Sequence, residues 1–91
     1  MHGVYVLGLS DGELYVGYSS DVKSRVAEHQ LGKVASTRRR LPVNLLYCEL
    51  HGSRKDAMHR ELYLKSGWGR KYLSRTIPET LSTFRSKIRR V

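Results

Sequence analysis

The sequence predicts a small α+β domain: a three-stranded antiparallel sheet flanked by helices, with an amphipathic helix at its C-terminal end. Three observations carry that reading. Two short β-rich runs meet at Asp11-Gly12, a pair that tolerates the positive φ of a tight hairpin turn. Two stretches that open on cap residues and carry a periodic apolar side come later, with a third β-rich run between them. The length of 91 residues leaves room for one core, and a chain this short buries only about 60–65% of its unfolded surface.

The elements follow in order. "GVYVLGL" (3–9) and "ELYVG" (13–17) are the hairpin strands, apolar enough on both faces to lie inside the fold. "SSDVKSRVAEHQLG" opens on Ser and Asp as N-cap candidates and closes on Gly32, so a helix is expected from about Asp21 to Leu31. "KVASTRRRLP" is a basic loop, and "VNLLYCEL" (43–50) is a third strand. Ser53 with Asp56 resembles a capping box, starting a helix over about 54–65 with Ala57, Met58, Glu61, Leu62 and Leu64 on or near its buried side. "SGWGRKYLSRT" carries no clear assignment. After Pro78, which a first helical turn tolerates, Leu81, Phe84 and Ile88 mark the terminal helix. Residues 1–75 are read as the main domain, and 76–91 as a basic helix packed on it.

Seventeen Lys and Arg against 8 Asp and Glu give a net charge of +9. That excess points to a polyanionic partner, with nucleic acid foremost. A solvated basic surface is the weaker alternative. Cys48 stands alone, which excludes an intrachain disulfide and a thiolate zinc site, and it reads as a small buried hydrophobe. No stretch approaches the ~20 apolar residues of a membrane span, and no signal-peptide pattern opens the chain. A soluble cytoplasmic protein is expected.

Val22, Arg25, Val26 and His29 stand at i, i+3, i+4 and i+7, one stripe of the first helix. The valines seek the core, so Arg25 and His29 lie along the buried side. Taken alone, Arg25 reads as a boundary residue whose stem covers apolar surface. Glu61 shares a stripe with Ala57 and Leu64, although an i, i+4 pair with Lys65 explains it as readily. Tyr5 and Tyr15 sit across the hairpin, where most tyrosines are simply core. Gly17 permits close approach of a backbone or a phosphate.

Taken together, these residues form an ordered set. Gly3-Val4-Tyr5 and Tyr15-Val16-Gly17, an Arg ten residues after Tyr15, a His four further on and a Glu in the next helix strongly resemble the GIY-YIG nuclease family. The resemblance runs over about residues 3 to 75 and includes the linking "SDGELYVGYSSDVKSRVAEHQLGK" and the later "SRKDAMHRELYLK". It implies a metal-dependent phosphodiesterase site: Glu61 holding one Mg2+ or Mn2+, Arg25 on the scissile phosphate, Tyr15 deprotonating or positioning the attacking water, Tyr5 assisting, and His29 supporting Tyr15 or the phosphate. The chemistry suits such a set, because phosphodiester hydrolysis needs an activated water and neutralised oxygens. A tyrosine serves as base near neutral pH only where cations favour its phenolate.

Val replaces Ile in both motifs, and Tyr18 stands where excision-repair relatives often carry a lysine. No attached recognition module is visible, so the domain's own surface or a partner protein would choose the substrate. Gly17, Tyr18, Arg38, Arg39, Arg40, Arg85 and Arg89 are the residues expected to meet nucleic acid, with a solvated loop as the alternative for the "RRR" run. The leading function is an endonuclease that cuts DNA, branched or flapped, in repair or recombination. The alternatives are a non-catalytic nucleic-acid-binding module of the same fold and, third, a basic RNA-binding protein.

Overall fold

The computed structural model describes residues 1–89, with side chains through Ile88. Gly12, at φ +87°, makes the first turn, and Glu13 N–H donates to the Asp11 carboxylate beside it. The turn joins β1 (His2–Gly8) to β2 (Leu14–Ser19), paired antiparallel with Tyr5 opposite Gly17. After α1 (Val22–Gln30), β3 (Asn44–His51) pairs with the other side of β1, giving the order β2-β1-β3. Three helices follow: α2 (Arg54–Lys65), α3 (Gly67–Thr76) and α4 (Pro78–Arg89). The expected α+β architecture and the amphipathic C-terminal helix are both present.

Alternation along β1 divides the core into two layers. Val4 and Val6 join Val16, Ala57, Leu64, Leu73 and Leu81 on the side of α2, α3 and α4. Tyr5 and Leu7 join Leu9, Val26 and Val43 on the side of α1. As the middle strand, β1 is apolar on both faces for this reason. The caps are those expected: the Asp21 carboxylate accepts from Ser24 N–H, and Ser53 Oγ accepts from Asp56 N–H.

Three expectations need correction. The unassigned "SGWGRKYLSRT" forms α3, capped by Ser66 and anchored by buried Leu73. On α2 only Ala57 and Leu64 are buried, while Met58 and Leu62 face outward. Cys48 is exposed. It projects from β3 on the α1 side, and α1 covers the hairpin strands, leaving that side of the edge strand, with Leu45 and Leu50, open.

Candidate active site

Tyr5 leaves the middle strand and lies across β2 at Gly17. A Cβ at Gly17 would stand 2.5 Å from Tyr5 Cζ, so the missing side chain makes room for the phenol. The expectation that Gly17 admits a phosphate is corrected here, because Tyr5 already fills that space. From this position Tyr5 Oη reaches His29 Nε2 at 2.9 Å, and His29 Nδ1 meets Thr37 Oγ1 at 2.7 Å. All three residues are buried. Each polar atom in the chain has a partner, which is what makes a buried imidazole tolerable.

Tyr15, half-buried, stands in front of this chain. Its ring centre is 5.1 Å from that of His29, edge to face, and 6.4 Å from that of Tyr5. Arg25 arrives from α1. Its guanidinium is partly in water and touches Glu28 at 3.5 Å, a weak exposed contact, while its other neighbour is the Tyr5 hydroxyl. The boundary position and the inward stripe thus both describe Arg25. Glu61 comes from α2 at the far layer; its carboxylate is mostly sheltered, meets Lys65 Nζ at 3.2 Å and acts electrostatically on Tyr5. The i, i+4 pair is present, and so is the proximity to Tyr5.

Burial pushes the Tyr5 hydroxyl above its ordinary pKa, with Tyr15 adding to the rise; Arg25 pulls down, and Glu61 pushes up again. Tyr5 is therefore a protonated phenol near neutral pH, and the cations have not made it a phenolate. His29 moves down from its ordinary 6.5, through burial and then the Arg25 charge, with Glu28 opposing. Neutral in the fold, His29 serves as a hydrogen-bonding pivot for Tyr5 and packs edge to face against Tyr15.

A pH dependence follows with a definite sign. An unfolded chain binds a proton at His29 near pH 6.5, whereas the folded chain resists it. Stability is full above that value and falls as pH drops below it toward the folded pKa. Melting temperature measured from pH 8 to pH 5 should decline through this window and decline less in His29→Gln; identical slopes would remove His29 as the source.

Two signals escaped sequence reasoning. Thr37 lay in the basic loop as one polar residue among many, yet it is fully buried and fixes the imidazole. Arg60, next to Glu61, donates from Nε to Glu49 Oε1 at 2.8 Å and from Nη2 to Oε2 at 2.9 Å, and stacks on Tyr72 at 4.2 Å. That paired fork holds α2 against β3 and so sets where Glu61 projects. Only the fold brings positions 49 and 60 together.

The other residues expected to meet nucleic acid are scattered. Tyr18 packs on the α2 side and bonds to His2 Nδ1 at 2.7 Å. Arg40 is occupied, donating to the Ser36 carbonyl at 3.0 Å and to Asp11 at 3.4 Å, so it secures the loop to the hairpin turn. Arg38, Arg39 and Arg85 are exposed, and the side chain of Arg89 lies outside the described residues.

Residues 1–72 match the family model of the GIY-YIG catalytic domain. The chain belongs to the GIY-YIG family. Among curated relatives, a UPF0213 protein of Streptococcus agalactiae is 52% identical over 63 residues, covering 68% of this chain and 72% of that one. A UPF0213 protein of Halobacterium salinarum is 50% identical over 66 residues, covering 71% and 86%. The solution NMR structure of the UPF0213 protein of Bacillus halodurans is similar too, at 33% identity and TM-score 0.56, over 90% of this chain and 93% of that one. GIY-YIG domains are nuclease domains that generally use a divalent metal, so the function class here is nuclease-type. Among the described residues no group of three or more His, Cys, Asp or Glu gathers as a metal cage, and no helix is long and apolar enough to cross a membrane.

Proposed function

We propose that this GIY-YIG domain is a divalent-metal-dependent endonuclease that hydrolyses DNA phosphodiester bonds, with branched or flapped DNA as its substrate and repair or recombination as its setting. The observation that carries the reading is the convergence of Tyr5, Tyr15, Arg25 and His29 from β1, β2 and α1 on one spot, with Glu61 near enough to act on Tyr5.

The roles follow from the geometry. Tyr15 is only half-buried, so its hydroxyl aligns the attacking water and the path of its proton. Tyr5, locked by His29 and Thr37, is a positioning residue that fixes the place of Arg25 and Tyr15. The Arg25 fork neutralises two phosphate oxygens as charge gathers on them. A single hard carboxylate with no cage around it suits Mg2+ or Mn2+, which is bound through one or two carboxylates together with substrate phosphate and water. Glu61 would hold the ion, whose charge would assist the leaving alkoxide and the deprotonation of the attacking water.

The test is cleavage of labelled duplex, single-stranded, flap and four-way DNA with Mg2+, Mn2+ or chelator, beside Glu61→Ala. Metal-dependent nicking that drops at least about 10³-fold in Glu61→Ala is the expected result. Undiminished cutting by Glu61→Ala would remove the metal assignment. Tight binding without cutting in either metal would favour the binding module, the second reading, which the net charge of +9 supports on its own.

A further inference from the structure

Among the described residues no strand pairs with the outer edge of β2, yet two cavities lie along it. The first, about 240 Å³, starts at Tyr15 and runs between β2 and the end of α2 and start of α3, with Leu64 and Leu73 as floor and Lys65 and Arg70 at its margin. The second, about 100 Å³, continues past Leu14 and Arg70, which both cavities share, to Leu81 and Arg85 of α4. Together they make one groove from the candidate active site to the hairpin turn. Its base is narrow and mixed, with the largely buried Leu64, Leu73 and Leu81 and the hydroxyl of Ser74. Against three cations, Lys65, Arg70 and Arg85, its rim sets one carboxylate, Glu13.

We propose that this groove binds a single strand of DNA leading away from the scissile phosphate, with Lys65, Arg70 and Arg85 as successive phosphate contacts. A narrow groove of mixed lining under a cationic margin fits one strand, whose phosphates follow the cations while its sugars and bases lie along the groove. Cavities of about 240 and 100 Å³ are too narrow to seat a duplex. Continuity supports the assignment as well, because Lys65 stands at once in the groove and against Glu61. The binding claim is independent of catalysis; only the direction of the strand toward a scissile bond rests on the nuclease reading.

Deleting α4 would be a poor test, because Leu81 and Phe84 are buried in the core. Arg70 and Arg85 are exposed, and point substitutions there spare the fold. The experiment is fluorescence anisotropy of a labelled oligothymidylate in EDTA, titrated at several salt concentrations. It compares the parent, Arg70→Ala/Arg85→Ala and a charge-matched control, Arg54→Ala/Lys55→Ala, at the start of α2. The groove variant should bind at least about tenfold more weakly than the control. Its log-affinity against log-salt slope should flatten by about 1.4, since each lost single-strand phosphate contact accounts for about 0.7. Equal effects in the two variants, or a slope unchanged in the groove variant, would overturn the groove. Cleavage of the panel above is scored separately, so a failed nuclease reading leaves the anisotropy result standing, and a failed groove leaves the nuclease reading standing.

Discussion

Arg25→Ala is expected to cut DNA about 10²–10³-fold more slowly than the parent while unfolding within about 0.5 kcal/mol of it. The two halves of this expectation come from the same geometry. In the folded chain Arg25 has little structural work, because its ion pair with Glu28 is long and solvated. What it presents to the site is a planar pair of donors beside Tyr5. Arg25→Lys keeps the charge and loses the fork, so it should recover only part of the rate. The measurement is single-turnover cleavage in Mg2+, paired with urea unfolding of all three proteins. Near-parental cutting by Arg25→Ala would place the phosphate elsewhere. A large loss of stability would instead make Arg25 a core residue.

The second large effect is expected at a residue with no side chain. Gly17→Ala sets a methyl against the Tyr5 phenol. The phenol is packed in the layer on the α1 side and tied to His29, so it cannot withdraw without breaking the chain to Thr37. Overpacking of this kind costs about 1–3 kcal/mol, and leaving a buried imidazole nitrogen unpaired adds about 1–3 kcal/mol more. Gly17→Ala should therefore unfold at markedly lower urea and lose cleavage by the same displacement. A double-mutant cycle with Tyr5→Phe tests the cause, because that change removes both the atom nearest the methyl and the hydrogen bond to His29. Gly17→Ala should cost clearly less in the Tyr5→Phe background than in the parent; an equal cost in both would show that the Tyr5 hydroxyl is not what the methyl displaces. Parental stability in Gly17→Ala would show that β2 yields at that position.

Most of the fold was legible before any coordinates. Asp11-Gly12, the caps Asp21 and Ser53, Pro78 and the spacing of Leu81, Phe84 and Ile88 all act within one turn or a few residues, and local backbone chemistry is written in local sequence. The helix over 67–76 was missed because its start is rich in glycine. Ser66 caps it, and the buried side of Leu73 holds it in place. Cys48 was misjudged for a related reason. An apolar run predicts a strand but not whether a helix will cover it, and at β3 none covers that side.

The candidate site divides the same way. The sequence alone determined the residue types and their order, Tyr5, Tyr15, Arg25, His29 and Glu61, and with them the family. Tertiary structure decided that Gly17 serves Tyr5, that Thr37 completes the buried hydrogen-bond chain, that Arg40 is spent on the hairpin turn, and that Lys65, Arg70 and Arg85 line one groove. Those relations join positions up to 29 residues apart, and whether a polar group is paired, buried or free depends on which partner the folded chain delivers to it.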